Sequence, residues 1–393
     1  MKPQVELKLK PKEERRIQCG HFWIFSNELE KVDTTIPAGT PVLVRMSSGE
    51  PLGVGMFNPH SLIAVRILEK GVTELPSDFV YKRLRDAFEY RRNLGLNKHA
   101  RVCFGEADLM PGLVVDRYGD ALVVEILSAG MEAMKADIEA ALKKIFSPSG
   151  IYYKNESEFR HLEGLPQVSE TTGEVPEFGL AEDGDAQFKF PLRAGQKTGY
   201  YYDQRDNREF LKPYVRDRVI LDLYSYVGGF AITAALAGAE QVWGIDSSQI
   251  AVDCATENAA LNKVEKLVTF HKDDAERALS ALRAGELPHT PDMVILDPPN
   301  FVKSRKNLAM AVKHYVKLNE MALRGLQSGG YLATSTCSHH VSREIFMEIV
   351  AEAARRSGKN VVLVELRGQA KDHPVLLGMP ETEYLHFALL QVK

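Results

Sequence analysis

Residues 293–301 read Met293-Val294-Ile295-Leu296-Asp297-Pro298-Pro299-Asn300-Phe301. Four apolar residues predict a buried strand. An acid follows, and two prolines then forbid continuation, because proline lacks an N–H and fixes φ. Asp297 is therefore held on a stiff loop at the strand's C-terminal end. In open α/β sheets ligands bind at that edge. The plain alternative is a rigid turn whose Asp only caps a neighbouring helix.

Outward from this loop, the pattern is regular from Pro213 onward. VILDLYSY (219–226), QVWGID (241–246), LVTFHKDD (267–274), DMVILD (292–297) and YLATSTCS (331–338) read as strands. Between and after them, residues 228–238, 248–264, 275–285 and 342–358 have helical spacing, and two further strands, 361–368 and 386–393, end the chain. Strands alternating with helices predict a parallel, doubly wound sheet. Four successive strands end at or near an acid: Asp222, Asp246, Asp274 and Asp297. Asp is a good helix N-cap, so each alone could be structural. As a set they predict a ligand edge.

The first βα turn, LDLYSYVGGF, carries Gly228-Gly229, which let a backbone approach a ligand closely. It is not G-x-G-x-x-G, and its aromatics Tyr224 and Tyr226 argue against a dinucleotide pyrophosphate site. Asp246 stands where an acid meets ribose hydroxyls, and Asp274 where one can accept from an adenine amino group. Adenosine with a free ribose and no phosphate needs acceptors but no cationic cradle, which points to S-adenosylmethionine.

Cys337 follows the strand after the Asp297 unit and so shares its edge. Most cysteines are small, inert hydrophobes, but Cys337 is flanked by Thr336, Ser338, His339 and His340. A thiolate adding to C6 of a pyrimidine would make C5 nucleophilic enough to take a sulfonium methyl. An acid near N3 would assist, a role that suits Asp297. Cys254 reads as core, and Cys19 and Cys103 as structural.

Composition sets bounds. The 393 residues suffice for two or three domains. Hydrophobic residues make up 45%, charged residues 26%, and the formal net charge is −4. No apolar run reaches membrane-span length, and MKPQVELKLKPKEERR does not read as a signal peptide. The four cysteines form no C-x-x-C pair, which argues against disulfides or a zinc site and fits a reducing cytoplasm; no metal is expected. Acidic net charge is not a nucleic-acid footprint, but basic clusters occur at Lys8–Arg16, Lys82–Arg92 and Lys303–Lys313. Each could equally be a solvated face. Strands with turn signals over 1–70 predict a small barrel. Residues 71–190 form a mixed α+β block: helices at 77–96 and 131–146, a hairpin about Tyr118-Gly119-Asp120, a strand at 150–155, and a connecting stretch at 163–186.

The sequence resembles the bacterial S-adenosylmethionine-dependent 23S rRNA 5-methylcytosine methyltransferases with an N-terminal PUA domain. The residues that carry the resemblance are CGHFWIFSNEL (19–29), EADLMPGLVVDRY (106–118), GQKTGYYYDQRDNR (195–208), LDLYSYVGGF, DPPNF, STCS and KDHP (371–374). It implies a PUA-like RNA-binding domain (1–70), a central α+β domain (71–190) and a Rossmann-like class I methyltransferase domain (191–393). It also implies roles. Lys197, Thr198, Tyr200, Gln204, Asp222, Tyr224, Gly228, Asp246 and Asp274 would bind S-adenosylmethionine. Pro298, Pro299, Phe301 and Lys303 would meet the substrate, with Cys337 and Asp297 catalytic. RNA would be the partner, and a homodimer stays open. Two alternatives remain at this point: amino-group or guanine methylation with Cys337 idle, and a catalytically silent RNA-binding or ribosome-assembly protein.

Overall fold

The computed structural model describes residues 1–193, 195, 198–302 and 304–393. The chain divides into two compact units, each interrupted in sequence. The first is Met1–Gly179, Pro191–Gly199 and Asp372–Thr382; the second is Leu180–Phe190, Tyr200–Lys371 and Glu383–Lys393.

The second unit holds a seven-stranded sheet. Its strands, in chain order, are β1 (Val219–Leu223), β2 (Gln241–Asp246), β3 (Val268–Lys272), β4 (Met293–Leu296), β5 (Tyr331–Thr336), β6 (Val361–Arg367) and β7 (His386–Val392). The spatial order is β3-β2-β1-β4-β5-β7-β6. Strands β1 to β5 pair in parallel, so their C-terminal ends share one edge. The parallel, doubly wound sheet that the sequence pattern predicts is formed by β1 to β5, and the terminal β7 runs antiparallel between β5 and β6. A terminal strand needs no crossover helix, so nothing obliges it to be parallel. The central strands are apolar throughout because helices cover both faces. Helices α1 (Arg205–Val215), α2 (Gly229–Leu236), α3 (Gln249–Leu261), α4 (Ala275–Ala284), α5 (Leu308–Gly325) and α6 (Arg343–Ser357) complete the layers. Leu221, Leu223, Val294, Leu296 and Leu332 pack with Leu279, Tyr315, Leu318 and Phe346 in one core.

The first unit contains two five-stranded sheets. One, in the order Val5–Lys8, Thr40–Arg45, Pro51–Phe57, Ile63–Lys70, Trp23–Phe25, encloses Leu7, Leu9, Ile24, Val42, Val44 and Val65. A bridge from Leu9 to Leu29 joins its ends. The other runs Val168–Gly173, Gly150–Asn155, Ala121–Ile126, Leu113–Tyr118, His99–Phe104. Leu43, Val54, Met56 and Leu68 of the first sheet share a core with Phe79, Leu84, Leu113, Val124 and Tyr153. Both sheets therefore belong to one compact unit.

Two segments change unit for identifiable reasons. The hairpin Phe178–Asp183/Ala186–Pro191 lies mostly in the second unit. There Asp183 pairs with Arg205 and Arg208, and Asn258 and Asn262 bond the backbone of Lys189 and Gln187. Residues 372–382 return to the first unit, where Asp372 accepts from Arg101 N and its carbonyl accepts from Arg91.

Candidate active site

The parallel edge gathers most of the predicted acids. In β1, Asp222 is next to last, 1% exposed, and accepts from the Ala231 N–H at the start of α2, 3.0 Å away. Its Oδ1 is buried and, among the described residues, unpartnered; so is the hydroxyl of nearby Ser225. Burial first, then the charges of Asp297 and Asp246, push the Asp222 carboxyl well above the ordinary range. A buried acid left half satisfied is costly. A cation or hydrogen-bonding ligand would relieve it.

The turn after β1 is unusual backbone. Tyr224, Tyr226 and Gly228 all have positive φ, at 63°, 48° and 88°. Aromatic residues rarely adopt this region, and such conformations persist where surroundings over-determine them, often at ligand sites. A Cβ at Gly228 would meet the Phe270 ring at 2.8 Å. Asp246 fastens the turn: its two oxygens accept from Tyr226 N and Ser248 N, both at 2.9 Å. Asp274 follows β3 and caps α4, accepting from Glu276 N and Arg277 N. Asp274 caps α4 through Oδ1 alone, and its side chain is exposed beside Tyr224. Burial, then Asp274 and Glu276, push the half-buried Tyr224 phenol up. These acceptors, the two orphaned polar atoms and the strained turn suit a cationic nucleoside.

Asp297 follows β4, and Cys337 follows β5, its parallel neighbour (Leu296 pairs with Thr334). The Ser335 hydroxyl donates to Asp297 Oδ1, tying the two strand ends together. The Gln204 amide donates to the same oxygen at 2.9 Å. Two tyrosines face this pair. Tyr201 lies T-shaped against Tyr226; burial, then Asp203, Cys337, Asp297 and Asp246, push its phenol up. Tyr315 of α5 is pushed up to about 12 by burial, with Cys337 and Asp297 adding to the rise. Its hydroxyl donates to Pro299 O at 3.3 Å and accepts from Phe301 N at 3.5 Å, so it pins the Asp-Pro-Pro loop. Phe301 packs on Tyr315 and edge-on to His314. Pro298 is buried and Pro299 exposed.

Other expected site residues sit differently. The Tyr200 phenol is buried and donates to Asp183 at 3.0 Å while its ring stacks on Phe188. It is thus part of a buried cluster with Asp183 and Phe188. Burial alone would raise the Asp183 carboxyl, but Arg208 and Arg205 outweigh it and hold it below the ordinary range. Thr198 belongs to the first unit, bonded to Asp116 and Arg101. Gln204 reaches Asp297 and Asn207. Lys197 and Lys303 lie outside the described residues. Cys254 is half-buried on α3, less enclosed than a core residue, while Cys103 is fully buried and Cys19 exposed. Sequence reasoning missed Tyr315, Tyr201 and Ser335; for Ser335, its place two residues before Cys337, at the end of the strand that Cys337 follows, was an available signal.

The basic clusters also divide. Arg91 is fully buried, paired with Asp108 at 2.5 Å. Arg16 forks onto Glu28 and donates to Trp23 O. Phe22 lies under the Lys70 ammonium, Phe25 under Arg16, and Trp23 donates to Glu106. Lys12 and Arg15 are exposed.

Comparison with known proteins decides the family. A PUA-like domain family matches residues 7–70, and the S-adenosylmethionine-dependent methyltransferase family matches residues 153–374. Ribosomal RNA large subunit methyltransferase I of Enterobacter sp. (strain 638) is 34% identical over 97% of this chain and 98% of its own length. The chain belongs to this methyltransferase family. Its cofactor is S-adenosylmethionine. Among solved structures, a chain from Streptococcus mutans described as a SAM-dependent methyltransferase superposes with a TM-score of 0.84 at 20% identity, covering 99% of this chain and all of that one. A second, SMU.776 complexed with SAH, gives 0.85 at 20% identity with the same coverage. Both share the fold.

Proposed function

We propose that this methyltransferase forms 5-methylcytosine in 23S ribosomal RNA through a covalent bond from Cys337 to C6 of the target base. One observation carries the reading: Cys337 and Asp297 follow adjacent parallel strands, and Ser335 joins the strand ends. The large-subunit rRNA relatives support the substrate class, and the PUA-like domain supports RNA as partner.

The chemistry follows from the residues. The Cys337 thiolate adds to C6, forming an S–C bond, while Asp297 gives a proton to N3 so that the displaced electron pair makes C5 nucleophilic. S-adenosylmethionine supplies the methyl and leaves as S-adenosylhomocysteine. A base then takes the C5 proton; the C5–C6 double bond re-forms, the thiolate leaves, and Asp297 recovers the N3 proton. Asn300 and Phe301 follow the Pro-Pro, so no second cysteine from that loop assists release. On the cofactor side, Asp222 and the Gly228 turn would take the methionine part, Asp246 the ribose and Asp274 the adenine.

The test is to map 5-methylcytosine on rRNA from cells that lack the protein, complemented with wild type or Cys337→Ala. Only wild type should restore one lost 5-methylcytosine. Restoration by Cys337→Ala, or a lost mark on an amino group, would overturn the reading in favour of amino-group methylation. No lost mark would favour a silent binding protein.

A further inference from the structure

Gln204, which the resemblance assigns to the cofactor, is 2% exposed, and Asn207, which no expectation singled out, is fully buried. Their side chains form a chain of hydrogen bonds whose direction is dictated at its far end. Arg367 Nε donates to Asn207 Oδ1 at 3.1 Å. A guanidinium has donors only, so the atom facing it must be the oxygen. The Asn207 Nδ2 then reaches two groups: Gly368 O at 3.1 Å, which can only accept, and Gln204 Oε1 at 2.7 Å. Two unambiguous partners thus fix the Asn207 amide, and Asn207 in turn fixes Gln204. The Gln204 nitrogen must face Asp297 Oδ1, 2.9 Å away.

We propose that Gln204 is a positioning residue for Asp297, locked as a hydrogen-bond donor by Asn207 and Arg367, and that this lock decides which carboxylate oxygen carries the catalytic proton. Together with Ser335, Gln204 puts two donors on Oδ1. An oxygen so occupied is a poor proton site, so a proton borne by Asp297 resides on Oδ2. Donated hydrogen bonds also favour the ionised form, making the acid readier to give its proton. Without the lock, the amide could turn its oxygen toward Asp297 and repel it. The inference rests on Asp297 being the acid that meets the target base.

Asp222 of β1, Tyr201 ahead of α1 and Tyr315 of α5 each feel the Asp297 charge, and both tyrosines also feel Cys337. None of them is altered by the variants used here. Gln204→Met keeps the volume and removes the donor; Asn207→Leu removes the lock. Two readouts apply to the full-length enzyme: a 13C titration of the Asp297 carboxyl without RNA, and steady-state kinetics. In Gln204→Met the carboxyl midpoint should rise by about one pH unit, with kcat falling about tenfold and KM for S-adenosylmethionine and RNA within about twofold. Asn207→Leu should move both readouts in the same direction by less. An unchanged midpoint in Gln204→Met would overturn the proposal, as would a loss expressed only in KM or thermal stability. If Asn207→Leu does not fold, Gln204→Met decides alone. The titration involves no RNA, so a wild type found to methylate another base would overturn the cytosine reading and leave this result standing.

Discussion

The parallel edge of the seven-stranded sheet and the N-terminal barrel use similar residues to opposite ends. In the barrel, His21 accepts from Trp23 N, Glu28 takes Arg16 and the Phe25 N–H, and Trp23 reaches Glu106. Each of these groups has a partner that explains it. At the sheet edge, Asp222 keeps a buried oxygen that is unpartnered among the described residues, burial and the charges of Asp297 and Asp246 raise its carboxyl, and two tyrosines hold left-handed backbone. A polar residue signals a ligand site when the fold leaves it unsatisfied, not merely when its type suits the chemistry.

If that contrast is sound, substitutions should separate function from stability differently in different places. Cys337→Ala should show the largest effect: turnover should fall on the order of a thousandfold or more with stability near wild type, because in the proposed mechanism the thiol acts only in the covalent step. Single-turnover kinetics with matched melting curves checks it. Asp183→Asn should do the reverse. It leaves Arg205 and Arg208 buried without their counter-ion, costing about 3–5 kcal/mol of stability in urea unfolding. The Asp183 carboxyl lies below its ordinary value when folded. Its contribution is therefore complete above that ordinary value and is lost as pH falls through the folded one. Wild type and variant should accordingly converge in strong acid.

Asp246→Ala removes the acceptors proposed for the ribose and a tie on the Tyr226 turn. S-adenosylmethionine affinity by calorimetry should weaken by roughly 1.5–3 kcal/mol. Asp222→Asn sharpens the contrast most. The folded carboxyl is raised, so the unfolded chain is ionised at neutral pH while the fold opposes the charge. The variant should gain on the order of 1 kcal/mol of stability without ligand, increasing as pH rises above the ordinary carboxylate value and vanishing below it. Cofactor affinity should drop in the same protein. A variant that binds the cofactor normally would show that the orphaned oxygen is not a ligand group. The smallest effect is expected in the barrel. Arg15→Glu should weaken RNA binding modestly and flatten its salt dependence, leaving cofactor affinity unchanged.

Much of this was legible in the sequence. Apolar runs ending in Asp222, Asp246 and Asp297 announced the edge because central parallel strands must be apolar throughout and their acids then stand out. Cys337 was legible by its offset from a strand end. Helix α5 was not: residues 308–325 follow the basic run from Lys303, which draws the eye to charge, and Tyr315 looks like any core aromatic. Long-range pairing was the other blind spot. Nothing near Asp183 in the sequence tells that it meets Arg205 and Arg208, and Arg91 in a basic stretch gives no sign that Asp108 buries it. The antiparallel β7 was equally hidden, since strand composition does not state which neighbours a terminal strand will take.

The most direct test of the central claim is a trap at the edge itself. Substrate RNA carrying 5-fluorocytosine cannot lose its C5 substituent as a proton, so a C5 methyltransferase that uses a thiol should stall as a covalent adduct. Wild type should yield a denaturant-resistant protein–RNA species whose cross-linked peptide contains Cys337, and Cys337→Ala should yield none. Full methylation activity without any adduct, or an adduct mapped to Cys19, Cys103 or Cys254, would contradict the account.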